Sequence, residues 1–434
     1  MRSRWNIVAV VSLVALIGTR ARANGAFPDE FSVHFPPGAP QRIFIGANFG
    51  LLVSEDQGAT WRYSCEPWVT MGSSAALSAA NVYYYQVTAD GAIIADSVEV
   101  TRSADVGCTW PPSGGFSAGA TIADVFADPN DATFVLAIVF GGEGGSTIVA
   151  SHDGGRTFET TALYTTPDLL KGVEISRSTP GLIYATKVTA TGSNAALLKS
   201  TDRGTHWSEM ALPASGQSEP RILAVDPNDG KTVYLRLFTG TTDSILITTD
   251  GGETFDRPLV VSGAFTAFLR ADDGALYVGM LEGRIFVRPS GELRFAERAG
   301  PHLRCLGQRP GSSRIYGCGD MFLDGFSLGT SDDRGQTFQK VMKFSELLGP
   351  LTCSSVKTAC AAHWERIQQV LGIASPDAGP AGSGSDAGGA RSGSNGSHCS
   401  SAGIDGSALL LFLLFTRTKR SSRSRRSGDR RPAS

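Results

Sequence analysis

Three charged residues stand where a catalytic centre would need them. Asp124 and Glu174 each fall in a stretch that reads as an innermost strand, and Glu219-Pro220-Arg221-Ile222 opens another. Two carboxylates facing one cleft about 5–10 Å apart could cleave a glycosidic bond, one as acid and the other as base or nucleophile. A guanidinium beside them could hold an anionic substrate. Asp124 and Glu174 equally fit solvated residues at strand ends, which is the expectation for both, and Arg221 is expected simply to begin a strand. The six His are scattered and no His/Cys/Asp cluster has zinc spacing, so neither a metal nor a cofactor is expected. Gly141-Gly-Glu-Gly-Gly145 is glycine-rich, but no helix follows whose N-terminus could hold a phosphate, and it reads as a strand-to-strand loop.

The seven cysteines suggest disulfides with one thiol left over. Cys399 lies apart from the rest and is the natural odd one, a possible attachment point. Cys305 and Cys318 flank the turn Arg309-Pro310-Gly311-Ser312 and could face each other across a hairpin; Cys353 and Cys360 are similarly close around another turn. That leaves Cys65 with Cys108. Six cysteines allow fifteen pairings, and this set is one of them.

The ends of the chain read as address labels. Net charge is −2 overall, +4 over the first 23 residues and +7 over residues 417–434, so the body between carries −13. An acidic body argues against a nucleic-acid partner. Residues 1–23 have a basic start (Arg2, Arg4), an apolar run at 7–18 and the small-x-small site Ala21-Arg22-Ala23, the pattern of a secretory signal. Residues 375–398 are Gly, Ser, Ala, Asp and Pro with almost nothing to bury, which is a flexible linker. Residues 399–434 then carry Cys399, Gly403, Gly406, an apolar run at 408–415 and an Arg/Lys cluster. As a helix that run would be about 12 Å long, short of a bilayer core of ~30 Å. The order of parts resembles the C-terminal sorting tails of myxobacterial surface proteins, which implies a cysteine used for processing or attachment and a tail held near a membrane.

What must position any site is a repeat. An octapeptide recurs with Ser or Thr first, Asp third, Gly fifth and an aromatic eighth: Ser54 to Trp61, Ser103 to Trp110, Ser151 to Phe158, Ser200 to Trp207, Thr248 to Phe255 and Ser331 to Phe338. Asp56, Asp105, Asp153, Asp202 and Asp250 follow one another at intervals of 49, 48, 49 and 48, and Asp333 comes 83 later. The long gap holds a degenerate copy, Arg288-Pro-Ser-Gly291-Glu-Leu-Arg-Phe295, giving seven units. Pro/Gly/Asp turns such as Asp128-Pro129-Asn130-Asp131 and Asp226-Pro227-Asn228-Asp229 fall upstream of most copies. Each unit therefore reads strand, turn, strand, loop, strand, octapeptide, strand, as at 221–225, 232–238, 244–248 and 254–256. Repeats of about 40–50 residues with four short strands are propeller blades. The fold class expected is all-β: a seven-bladed β-propeller of four-stranded antiparallel blades at 24–374, monomeric, with a short amphipathic helix at 361–372 on which Trp364, Ile367 and Leu371 share a face.

These copies resemble the Asp-box (BNR) repeats of sialidases, sortilin-type receptors, xyloglucan-cleaving glycosidases and photosystem II assembly factors, over roughly residues 28–365. The resemblance implies that Asp56, Asp105, Asp153, Asp202, Asp250 and Asp333 are scaffold residues at the outer rim, away from the channel where ligands bind. Physically, the carboxylate can accept turn amides, the fifth-position Gly permits positive φ, and the aromatic can pack between blades. Trp61, Trp110 and Trp207 are thus expected in the core. Sialidases of this kind use an Arg triad, an initiating Arg in an aromatic-Arg-Ile-Pro motif and a Tyr/Glu pair; Arg221 is the nearest match and lacks both the aromatic and the Pro. The function expected is an exported, cell-surface binding scaffold for a protein or glycan ligand, the alternative a diverged glycoside hydrolase.

Overall fold

The computed structural model describes residues 30–71, 84–96, 99–117, 120–140, 145–213 and 217–373. The expected signal, linker and tail, Cys399 among them, lie outside these, as do residues 141–144 of the glycine-rich loop. Seven antiparallel sheets follow one another along the chain, at 30–65, 84–103, 121–166, 169–211, 219–262, 265–299 and 305–342. In every sheet the strands pair in sequence order, so each blade is a meander closed by local turns. The first strands of successive blades adjoin each other around the ring and form the channel wall. The protein is a seven-bladed β-propeller.

Six sheets have four strands and blade 2 has three. The chain leaving that blade's octapeptide begins Pro111-Pro112, which has no N–H to give a ladder. Pairing there shrinks to a bridge between Thr101 and Pro112, with the Arg102 amide on the Pro111 carbonyl at 3.0 Å and the Ser113 amide on the Val100 carbonyl at 2.8 Å.

The middle strands explain why sequence alternation is weak. Val135, Leu136, Ala137 and Ile138 in blade 3 are all buried, because neighbouring blades cover both faces of each sheet. A strand buried on both sides reads as a continuous apolar run.

The octapeptide is a hydrogen-bonded knot between third and fourth strands. In blade 1, Asp56 Oδ1 accepts the Ser54 hydroxyl and the Thr60 amide, both at 2.8 Å, and Oδ2 accepts the Thr60 hydroxyl at 2.6 Å. Ser54 Oγ in turn accepts the Gly58 amide at 2.8 Å. Asp105, Asp153, Asp250 and Asp333 repeat the pattern, and in blade 4 His206 replaces the Thr on Asp202. Gly58 has φ +95°, as expected of the fifth position. The fourth position is left-handed too, in Gln57, Val106, Arg203 and Arg334, a strain for side-chain-bearing residues that the carboxylate's bonds offset. Trp61 and Trp110 are buried, Trp207 partly so.

The disulfides correct the expected set. Cys305–Cys318 bridges the first two strands of blade 7 as read from sequence. The other two are Cys65–Cys360 and Cys108–Cys353. Cys353 and Cys360 do not flank a turn: after the one-turn helix α1 at Glu66–Val69, helix α2 runs from Ser354 to Leu371, and seven residues along a helix put them about 10 Å apart, beyond disulfide reach. The helix thus starts seven residues before the expected 361. It crosses the rim of blade 1, burying Val356, Cys360, Ile367 and Leu371. Just before it, residues 348–351 run beside the outer strand of blade 1: the Tyr63 amide bonds the Gly349 carbonyl at 3.1 Å and the Leu351 amide bonds the Tyr63 carbonyl at 2.9 Å. Among the described residues no helix is long and apolar enough to cross a membrane.

Candidate functional site

Asp124, Glu174 and Arg221 lie on the first strands of blades 3, 4 and 5, Thr121–Ala127, Leu169–Ile175 and Glu219–Val225. The structure brings them together on one arc of the channel wall. Each reaches across to a neighbouring blade. Asp124 Oδ2 accepts the Val173 amide at 2.9 Å, Glu174 Oε2 accepts the Val225 amide at 2.9 Å, and Arg221 Nη1 donates to the Lys171 carbonyl at 2.7 Å. These three side chains therefore fasten blades 3, 4 and 5 along the channel. Neither acid is the solvated strand-end residue expected. Each keeps part of its surface on the wall while its carboxyl group is desolvated.

Burial raises all the acids here. Asp124 is pushed up to about 6, against the pull of the Val173 amide and Arg221. Glu174 is pushed up to about 8, first by burial and then by the nearby Asp124 charge. A third carboxyl escaped the sequence reading: Asp96, which ends the second strand of blade 2, is raised to about 8 by burial and by Asp124. Burial and the Asp124 charge both favour the protonated forms of Glu174 and Asp96. No residue type or spacing around Asp96 marks it; only the ring closure places it beside blade 3. Among the described residues no group of three or more His, Cys, Asp and Glu is arranged to hold a metal ion.

One end of the channel opens into a pocket of about 490 Å³. Its wall is made by the turns that end the first strands of blades 7, 1, 2, 3 and 4, with Phe35, Pro36, Pro129, Arg177, Arg309 and Pro310 prominent. The Arg309 guanidinium lies 4.9 Å from the Phe35 ring centroid. Among the described residues no carboxylate lines the pocket. His34 also contributes; burial pushes its imidazole down to about 4 and its Nε2 has no hydrogen-bond partner among the described residues. The pocket suits an anionic or aromatic group: rigid proline faces, one stacked guanidinium and a second, Arg177, that is exposed.

The octapeptide acids stand apart, knotted into the turns already described. The Thr254 and Thr248 hydroxyls hold Asp250 well below the usual carboxylate range, and Thr337 does the same for Asp333.

No family model matches the chain, and no curated protein does. Solved structures with similar folds exist. YCF48 from Cyanidioschyzon merolae is 14% identical, with 67% of this chain and 92% of that chain covered and a TM-score of 0.45. The GH74 xyloglucanase from Xanthomonas campestris is 13% identical, with coverages of 72% and 78% and a TM-score of 0.38. The Dos1 propeller is 10% identical, with coverages of 74% and 85% and a TM-score of 0.49. At these scores none of them bears on what this chain binds.

Proposed function

We propose that this protein is an exported, cell-surface propeller that binds a protein or glycan ligand without chemistry of its own, at the channel mouth lined by Phe35, Arg177 and Arg309. The observation that supports it is the occupation of the channel acids: Asp124 and Glu174 each spend an oxygen on the amide of the next blade. That bond gives each acid a role as a fastener between blades, which accounts for its place on the channel wall without chemistry. Three disulfides fit an oxidising compartment, and the reading of residues 1–23 and 399–434 as signal and tail supports export and membrane proximity. The test is to screen the purified chain for binding to immobilised surface polysaccharides and peptides, beside hydrolysis assays on xyloglucan and sialosides. Binding that Arg309→Ala weakens, with Tm unchanged, supports the scaffold. Release of sugar above background, lost in Glu174→Gln, overturns it.

A second reading has one observation in its favour. Burial raises Glu174 further than Asp124, and such a difference is the way two carboxyls divide the roles of acid and base. That hydrolase reading stands or falls on the same assay.

A further inference from the structure

The degenerate octapeptide of blade 6 changes the rim beside it. In the intact copies the first position is a Ser or Thr hydroxyl, tucked in and bonded to the Asp two residues on. In blade 6 that position is Arg288, the Asp position is Ser290 and the fifth-position Gly is Glu292. Gly291 keeps a left-handed φ of +82°, so the chain still turns, but the turn no longer packs inward and Leu293 is 83% exposed.

Inward, the junction with blade 5 is packed: Tyr234, Ile245 and Ile247 share one apolar cluster with Phe265, Leu276 and Val278, and the Phe265 amide bonds Asp243 at 2.9 Å; its outer part borders the altered turn. A cleft of about 750 Å³ lies there. Its counterpart between blades 6 and 7, beside an intact octapeptide, is about 590 Å³, and its guanidinium, Arg334, is exposed. Arg288 is instead half-buried, 5.8 Å from the Phe295 ring centroid, with no carboxylate in ion-pair distance among the described residues. Asn228 adds a free amide. Its counterpart Asn130 donates to the Arg177 carbonyl of the next blade at 2.9 Å, whereas blade 6 presents the different turn Asp272-Asp273-Gly274 and, among the described residues, Asn228 Nδ2 has no such partner.

The charges around the cleft define the ligand. Asp226 is satisfied by Arg270 at 2.7 Å and by the Tyr234 hydroxyl at 3.0 Å, and Arg257 donates to the Pro213 carbonyl. With three guanidiniums (257, 270, 288) facing three carboxylates (226, 229, 256), a multiply charged phosphate finds no surplus of positive charge. A monoanion rich in hydroxyl donors does fit: its single charge meets Arg288 and its hydroxyls meet the acids and Asn228. We propose that the cleft between blades 5 and 6 binds a carboxylated sugar residue of an acidic polysaccharide, its carboxylate on Arg288, its hydroxyls on Asn228, Asp229 and Asp256, and its ring face against Leu293. The proposal rests on the binding-scaffold reading and gives the propeller a second contact, away from the channel mouth.

The test is calorimetric titration of trigalacturonate into the full chain, with galactotriose as the neutral control. Saturable binding of the acidic trisaccharide alone is expected, weakened about tenfold or more in Arg288→Gln. It should be lost when the octapeptide is restored by Arg288→Ser, Ser290→Asp and Glu292→Gly, a variant that ought to fold at least as well as the parent. Arg314→Ala, on blade 7 outside both the cleft and the channel mouth, should leave it unchanged. Loss in Arg309→Ala with retention in Arg288→Gln would keep the scaffold and overturn this site. No binding at millimolar sugar overturns the site as well. Equal, Arg288-dependent binding of a polyglutamate peptide overturns the carbohydrate class.

Discussion

The sulfurs of Cys65 and Cys360 are bonded across 295 residues of sequence, joining the outer strand of blade 1 to the last helix. Every sheet of this propeller is built from consecutive strands, so no strand is exchanged between the first and last blades to lock the ring. The segment at 348–351, helix α2 and the disulfides Cys65–Cys360 and Cys108–Cys353 supply that lock from outside. The Ser355 hydroxyl and the Trp68 indole both donate to the Cys108 carbonyl, at 3.0 and 3.1 Å, so the clasp also grips blade 2. Removing Cys108–Cys353 with a pair of Ser substitutions should lower stability by about 2–4 kcal/mol. Hydrogen exchange locates the effect: the Tyr63, Leu348 and Leu351 amides should lose protection while blade 4 keeps its own. Uniform loss of protection around the ring would argue against a clasp.

The octapeptide hydroxyl carries a measurable share of each blade's stability. Ser151 Oγ is buried, donates to Asp153 at 2.8 Å and accepts the Gly155 amide at 2.9 Å. Ser151→Ala leaves that amide buried without a partner, which should cost about 1–3 kcal/mol. Ser151→Thr should be close to neutral, because Thr248 makes the same two bonds in blade 5. Urea unfolding of both variants checks this, and equal midpoints for the two would contradict it.

Most of the fold is legible because one turn is written six times. Ser, Asp, Gly and an aromatic at fixed offsets specify a local knot, and a spacing of 48–49 residues leaves room for one four-stranded meander. Local chemistry does not reach across blades. The positions of Asp124 and Glu174 on first strands follow from the repeat. Their partners, the Val173 and Val225 amides, lie 49 and 51 residues away, so their burial and their bonds do not show in sequence. The second half of helix α2 is legible in the helical spacing of Trp364, Ile367 and Leu371. The helix's first turns, with Ser354, Ser355 and Thr358, are poor helix formers held by packing of Val356 and Cys360 on blade 1. That tertiary override hid the true partners of Cys353 and Cys360.

Acid should loosen the octapeptides before the channel. The unfolded carboxyls titrate near ~4, while those of Asp250 and Asp333 are held lower in the fold by threonine hydroxyls. The unfolded chain therefore binds more protons in this range, so the stability these groups supply is complete above pH ~4 and falls as pH drops below it. Asp250→Asn should lower Tm at pH 7 and make the decline between about pH 4 and 2 shallower than in the parent. Parallel Tm curves for the two proteins would remove Asp250 as a source of acid sensitivity.

The channel acids work in the opposite direction. Glu174 and Asp96 are each raised to about 8 in the fold, by burial and then by Asp124, against about 4 in the unfolded chain. Between those values the folded protein holds more protons, so the favourable contribution is present at low pH and is lost as pH rises toward 8. Glu174→Gln keeps an oxygen for the Val225 amide and removes the titration. At pH 8.5 it should be more stable than the parent by on the order of 2 kcal/mol, with the gap closing by pH 5. Denaturant unfolding at the two pH values measures the difference directly. A variant less stable at both would mean that the ionised carboxylate, through its bond to blade 5, is worth more than its burial costs, and that the channel is wetter than its geometry implies.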